Sequence, residues 1–183
     1  MRITGGILRG RRILVPKGRI RPTTDMVREA LFSILVSRVE SSRFLDLFAG
    51  SGSVGLEAWS RGAKYAHWVE LDRRTIPVLK KNVLGLCDSR YGISHCDAAR
   101  FVKKELAGDK FDIIFADPPY DKEGESNRCH TLLESLRIGQ LLAPGGIFVL
   151  EQGKEEREPD CRSWTLMDDR VYGNTRLRFF KMA

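Results

Sequence analysis

Apolar and polar residues alternate along this chain in two rhythms, and their order predicts its architecture. Apolar runs of strand length occupy 43–49, 65–70, 91–95, 111–116 and 147–151, with the near-continuous apolar character of strands covered on both faces. Between them apolar residues return every three or four positions, which predicts helices over 53–61, 73–85, 98–106 and near 128–138. An earlier helix is predicted from Thr23 or Thr24, either of which can cap it, through about Val39. Its buried face is read as Met26, Val27, Ala30, Leu31, Ile34 and Leu35. Glu151–Arg162 is charged throughout and reads as a solvated loop, and Trp164–Val171 and Thr175–Lys181, turned at Tyr172-Gly-Asn174, read as a closing antiparallel pair. Strict alternation of strand and helix predicts an α/β fold. Its sheet is mostly parallel with a final antiparallel strand, Rossmann-like, with helices on both faces.

In such sheets ligands bind beyond the carboxyl ends of the strands, and the chemistry of this chain gathers there. Phe44-Leu-Asp-Leu-Phe-Ala-Gly-Ser-Gly-Ser-Val-Gly55 runs from an apolar strand through a glycine turn into a helix. Gly50, Gly52 and Gly55 have dinucleotide-binding spacing, and Glu70 ends the next strand where a ribose-binding carboxylate would stand. The pattern by itself serves NAD and S-adenosylmethionine equally. Asp46 favours the second, because a carboxylate inside the first strand suits a cationic methionine end and repels a pyrophosphate.

The fourth strand ends in Asp117-Pro118-Pro119-Tyr120. Proline fixes φ and has no N–H, and the residue before a proline is pushed out of the helical region, so Asp117 and Pro118 are both held extended. The Asp117 carboxylate and Pro118 carbonyl then stand side by side, two acceptors for the two hydrogens of an –NH₂ group. Tyr120 offers a flat face for the ring that carries the amine. A rigid strand-to-loop turn would use the same residue types, but a hydride-transfer enzyme has no need of such an amine site.

Charge adds a third part. The chain of 183 residues carries 31 Lys+Arg against 24 Asp+Glu, a net charge of +7. Seven of those basic residues (Arg2, Arg9, Arg11, Arg12, Lys17, Arg19 and Arg21) precede Thr23 with no acidic residue among them, so the whole excess lies in that arm. A basic arm on a neutral body is an electrostatic footprint for nucleic acid. Ile3, Ile7-Leu8 and Ile13-Leu-Val15 alternate with the arginines, which predicts a β-hairpin with an apolar side, outside the cofactor loops. Residues 1–22 are read as this extension and 23–183 as one domain. At 42% hydrophobic, with no run of membrane-span length, the expectation is a soluble protein that meets no membrane. The N-terminus has no signal-peptide core, and Cys87, Cys96, Cys129 and Cys161 form no paired motif, so a cytoplasmic protein with reduced thiols and no metal is expected.

Together these pieces resemble class I S-adenosylmethionine-dependent methyltransferases, and within them the amino-methylating group marked by Asp/Asn-Pro-Pro-Tyr/Phe. More narrowly the chain is similar to the bacterial 16S rRNA guanine-N2 methyltransferase family RsmD. Arg2-Ile-Thr-Gly-Gly6, Arg9-Gly-Arg11, Arg21-Pro-Thr-Thr-Asp25, Val27-Arg-Glu-Ala-Leu-Phe32, Asp46-Leu-Phe-Ala-Gly-Ser-Gly52, Glu70-Leu-Asp72, Asp117-Pro-Pro-Tyr120 and Tyr172-Gly-Asn-Thr-Arg-Leu177 carry the similarity nearly end to end. Met26 stands where that family usually has a basic residue, and Ser33 where it often has Asn.

The resemblance implies that Asp46, Gly50, Gly52, Glu70, Leu71, Asp97 and Ala98 hold S-adenosylmethionine, with S-adenosylhomocysteine as product. Within that set Glu70 takes the ribose hydroxyls and Asp97 the adenine amino group. It implies that Asp117, Pro118, Pro119 and Tyr120 form the catalytic turn around a guanine N2 amine. Arg9, Arg11, Arg12 and Arg21 would contact 16S rRNA, within a small-subunit particle and as a monomer. The residues alone leave open a DNA adenine-N6 or protein glutamine methyltransferase, a small-molecule methyltransferase, and a non-enzymatic RNA-binding protein on the same fold.

Overall fold

A computed structural model of the chain describes residues 1–16, 23–88, 90–104, 110–119, 140–156 and 163–183. Seven strands form one sheet: β1 (Arg43–Asp46), β2 (Tyr65–Glu70), β3 (Tyr91–His95), β4 (Phe111–Ala116), β5 (Leu142–Gly153), β6 (Trp164–Tyr172) and β7 (Thr175–Met182). Their spatial order is β3-β2-β1-β4-β5-β7-β6. The first five run parallel, and β7 lies antiparallel between β5 and β6. β1 is thus the point where the order reverses, the position at which open α/β sheets bind ligands.

Among the described residues five helices accompany the sheet: α1 (Asp25–Ile34), α2 (Val36–Val39), α3 (Ser53–Ser60), α4 (Ile76–Leu86) and α5 (Ala98–Lys104). Successive β1 residues point to opposite faces and feed different cores. Phe44 packs with Leu31 and Phe32 of α1 and Val54 of α3, whereas Leu45 packs with Ala98, Phe101 and Val102 of α5. The predicted two-sided cover is therefore present, built from the alternation itself.

Several boundaries move for physical reasons. Thr24 caps α1 by accepting the Val27 N–H, but the helix breaks at Leu35 and resumes as α2. Met26, expected inside, is 57% exposed, while Arg28 and Phe32 are fully buried. The buried face is rotated by one position because Arg28 is drawn inward to a carboxylate partner. Gln152, expected in a solvated loop, and Glu151, expected where the strand meets that loop, are both buried strand residues. Pairing of β5 with β7 (Glu151 opposite Leu177, Gln152 opposite Arg176) carries the strand past its apolar stretch. The helix expected near 128–138 lies outside the described residues.

The N-terminal arm folds back on itself, yet among its described residues the strand pairing is one bridge, Arg2 opposite Arg12. The amide of Ile3 donates to Arg11 and that of Ile13 to Met1, both at 3.0 Å. Ile3 and Ile13 form the apolar side and are buried among Leu56, Trp59, Trp68, Leu79 and Val83. The arm is fastened less by strand pairing than by docking onto α3 and α4.

Candidate active site

β1 ends at Asp46, and the chain crosses to α3 through a turn that only particular residues allow. The Leu47 amide still bonds Phe115 of β4 at 2.9 Å and the Ala49 amide bonds Val69 of β2 at 3.0 Å, so the turn is pinned to both neighbouring strands. Gly50 (φ 52°) and Gly52 (φ 83°) then take left-handed conformations, which glycine adopts without steric cost. A Cβ on Gly52 would also lie 2.5 Å from Leu79, and one on Gly55 would lie 2.3 Å from the Trp68 indole nitrogen. Gly55 therefore lets α3 lie close on β2.

Carboxylates surround this turn. Glu70, at the end of β2, accepts the Gly50 amide at 2.7 Å and the Asp72 amide at 2.6 Å. Each oxygen keeps lone-pair capacity for a further donor. Asp46 is 1% exposed and accepts the Gly55 amide at 3.1 Å through Oδ2, while Oδ1 has no hydrogen-bond partner among the described residues. Burial, against the Gly55 and Phe48 amides and reinforced by the Glu70 and Glu151 charges, pushes its pKa up to about 7. A buried acid with an unmatched oxygen is a place where a cationic group would be stabilised. Asp97 caps α5, its Oδ1 accepting the Ala99 and Arg100 amides at 2.9 and 3.2 Å. Leu71, 55% exposed beside Glu70, presents an apolar face at the same edge, and Ala98 is buried at the start of α5.

Asp117 follows β4 directly, half-buried, with Pro118 buried and Pro119 exposed. Asp46, Gly50, Ser51, Ser53 and Asp117 line one cavity, so the glycine turn and the Asp-Pro-Pro turn share a single space. Glu151 stands in β5 next to this turn, since Ala116 pairs with Leu150, and it accepts the Thr23 hydroxyl at 3.0 Å. Sequence reasoning missed Glu151 because it follows the last apolar residue of its strand. Tyr120 and Arg21 lie outside the described residues. Arg9, Arg11 and Arg12 are exposed along the arm and are not among the residues that line this cavity.

The expectation that the arm stays clear of the cofactor loops needs correction. Val15 and Pro16, at the end of the described arm, line that cavity together with Thr23. Their position follows from how the arm is held. Glu57 of α3, fully buried, accepts the Thr4 amide at 2.9 Å, the Thr4 hydroxyl at 2.7 Å and the Gly5 amide at 2.7 Å. Its charge is met by Arg61 at 2.9 Å and by buried Arg28, whose Nε is 3.7 Å away. Arg28 in turn donates to the Arg2 carbonyl at 2.6 Å and the Thr23 carbonyl at 2.9 Å, tying both ends of the arm to α1. Gly6 sits so close that a Cβ would lie 1.9 Å from the Ser60 carbonyl oxygen. The sequence signal for Arg28 is its place one helical turn before Phe32, and for Glu57 its place inside the apolar face of α3.

The chain matches the protein family described as Conserved hypothetical protein 95 over residues 1–181. It is 33% identical to ribosomal RNA small subunit methyltransferase D of Haemophilus influenzae, covering 99% of this chain and 93% of that protein. The protein of the same name from Escherichia coli K12 is 35% identical, covering 99% of this chain and 89% of its own length. The solved structure of yhhF from Escherichia coli superposes with a TM-score of 0.84 at 36% identity, covering 100% of this chain and 97% of that one. On a match of this extent the chain belongs to the Conserved hypothetical protein 95 family, that of the ribosomal RNA small subunit methyltransferase D enzymes.

Proposed function

We propose that this protein transfers a methyl group from S-adenosylmethionine to the exocyclic N2 amine of a guanine in 16S rRNA. One observation carries the reading: Asp117 lines the same cavity as Asp46 and the glycine loop. An amine acceptor site and a cation-binding acid thus face one space.

The residues present fit the cofactor. Asp46, with its unmatched buried oxygen, stands for the cationic methionine end, Gly50 and Gly52 open the backbone to close approach, and Glu70 keeps acceptor capacity for ribose hydroxyls. Leu71, Asp97 and Ala98 serve the adenine end. S-adenosylmethionine, when bound, supplies the methyl group and leaves as S-adenosylhomocysteine. The protein's own work is to hold the amine. Asp117 and the Pro118 carbonyl accept its two hydrogens, which favours the pyramidal nitrogen whose lone pair can attack. As the N–C bond forms and the methyl–sulfur bond breaks, one of those hydrogens leaves as a proton to solvent. This is positioning and electrostatic stabilisation, with no covalent intermediate on the protein. Pro119 keeps the turn stiff, and Tyr120 stacks on the base, worth roughly 1–3 kcal/mol for a base–aromatic pair.

The partner is 16S rRNA within a small-subunit particle in the cytoplasm, met by a monomer whose arginine arm reaches the RNA backbone. Among the described residues no helix is long and apolar enough to cross a membrane. Radiolabelled S-adenosylmethionine should label the 16S rRNA of unmodified small-subunit particles, and digestion should return the label as N2-methylguanine. Label in DNA, in free protein or in N6-methyladenine would replace this reading by one of its relatives.

Two further results are expected. The Asp46 pKa is raised from 3.8 to about 7, so the folded protein keeps a proton there that the unfolded chain has already released. Its contribution to stability therefore falls as pH rises from about 4 towards 7. A cation beside Asp46 favours the ionised form, so binding expels that proton. S-adenosylmethionine affinity should rise about tenfold from pH 6 to pH 8, one proton being released per ligand at the lower pH. Asp46→Asn should bind more weakly with a flat pH profile, and a flat profile in the unaltered protein would remove Asp46 from the cofactor site.

The other result concerns the arm. Each phosphate contact on single-stranded RNA contributes roughly −0.7 to the slope of log affinity against log salt. Reversing Arg9, Arg11 and Arg12 to Glu should flatten that slope by about 2 and weaken binding at low salt. Parallel salt lines for the two proteins would mean that the RNA surface lies elsewhere.

A further inference from the structure

Asn82 of α4 is 4% exposed and takes no part in the chemistry described above. Its Oδ1 accepts the Leu14 amide at 2.9 Å, and its Nδ2 donates to the Leu14 carbonyl at 2.9 Å and to the Ser51 carbonyl at 2.8 Å. One side-chain amide therefore grips both backbone groups of an arm residue, as a neighbouring strand would, and holds the cofactor loop with its remaining hydrogen. The residues next to the two grips line one cavity: Val15 and Pro16 from the arm, Gly50 and Ser53 from the loop. The same arm carries exposed Arg9, Arg11 and Arg12.

We propose that Asn82 is a positioning residue that couples RNA engagement by the arm to cofactor binding in the loop. This rests on the function proposed above, which makes the arm an RNA contact and the cavity a cofactor site. The coupling is a matter of shared ordering. RNA that holds the arm also holds Val15 and Pro16 against the cavity, so the ligand entering there has less left to immobilise. By thermodynamic necessity the cofactor then favours RNA binding by the same factor. The amide is needed because its three bonds point at two acceptors and one donor. An aspartate keeps the acceptor but sets a carboxylate against the Leu14 and Ser51 carbonyls.

The test is the affinity for S-adenosylhomocysteine with and without saturating small-subunit particles carrying unmethylated 16S rRNA, in four proteins. In the unaltered protein RNA should tighten that affinity about fivefold or more, within the usual range of coupling between sites. Leu14→Ala should behave alike, because Asn82 holds the backbone of that residue and its side chain is 46% exposed. In Asn82→Asp the two ligands should bind independently. Leu14→Pro, which deletes the amide that Asn82 accepts, should lose most of the coupling, and it decides the matter if Asn82→Asp does not fold. A residue that only supported the fold would lower the melting temperature and both affinities while leaving the RNA-induced ratio intact. That ratio unchanged in a folded Asn82→Asp or Leu14→Pro protein, or absent from an unaltered protein that binds both ligands, overturns the proposal. An unaltered protein that binds neither ligand overturns the functional reading itself.

Discussion

Asp117→Ala should lower methyl transfer about 10²–10³-fold, the usual loss when one preorganised hydrogen-bonding group is removed from a reacting centre. RNA affinity should change little, because the exposed arginines of the arm stay in place. The half-buried carboxylate sits where β4 ends, at the cavity that Asp46 and Gly50 also line. Its loss frees the amine to keep its lone pair in the ring, where it does not attack. Asp117→Asn retains a carbonyl acceptor and should lose less. At Tyr120 the order should reverse the usual view of a tyrosine: Tyr120→Phe keeps the stacking face and should be mild, whereas Tyr120→Ala should be severe. Single-turnover transfer on small-subunit particles, with RNA binding measured alongside, checks each variant. An Asp117→Ala protein with near-normal turnover would take the carboxylate out of the mechanism, and a Tyr120→Phe loss equal to that of Ala would make the hydroxyl the working group.

Much of the architecture was legible because the strands at the sheet centre are covered on both sides. β2, β3 and β4 fall on the expected residues, since a strand of that kind is bounded by where its apolar run stops. The rule fails where something other than apolar burial extends or turns an element. Glu151 and Gln152 continue β5 because β7 pairs beside them, a long-range partner that local periodicity does not contain. Met26 faces outward because the Arg28 guanidinium occupies the inner position, and arginine is counted as polar in any such pattern. The site divides in the same way. Gly50, Gly52, Glu70 and Asp117 are recognisable because backbone geometry and acceptor chemistry restrict which residues can serve. Asn82 reaches the backbone of Leu14 and Ser51, far away in the chain, through its side-chain amide, and Val15 and Pro16 meet the glycine turn only in the cavity they share with it, so nothing in their own neighbourhood marks them.

Glu57→Ala should be the most destabilising single change in the described core of α3. The side chain is fully buried between Arg28 and Arg61 and accepts the Thr4 and Gly5 amides. Arg28 is itself fully buried, and its Nε has no hydrogen bond among the described residues, so the ion pair with Glu57 is what compensates that edge of the guanidinium. Without Glu57, Arg28 keeps Asp25, at 2.9 Å but 60% exposed, as its carboxylate partner among the described residues, so the cost approaches the roughly 3–5 kcal/mol of a broken buried pair without leaving the guanidinium wholly unmatched. For a domain of this size roughly 2–4 °C of melting temperature goes with each kcal/mol, so a fall on the order of 10 °C is expected. Glu57→Gln keeps an acceptor oxygen for the arm amides but not the charge, and should fall between the two. The arm should loosen with the ion pair, because residues 4 and 5 lose their anchor on α3. Limited proteolysis should then cut the variant within residues 1–16 well below its melting temperature, at sites protected in the unaltered protein. A Glu57→Ala protein that melts within about 2 °C of the parent, a shift worth under about 1 kcal/mol, would show that Asp25 is partner enough for Arg28 and that the arm is held by its other contacts with α1, α3 and α4.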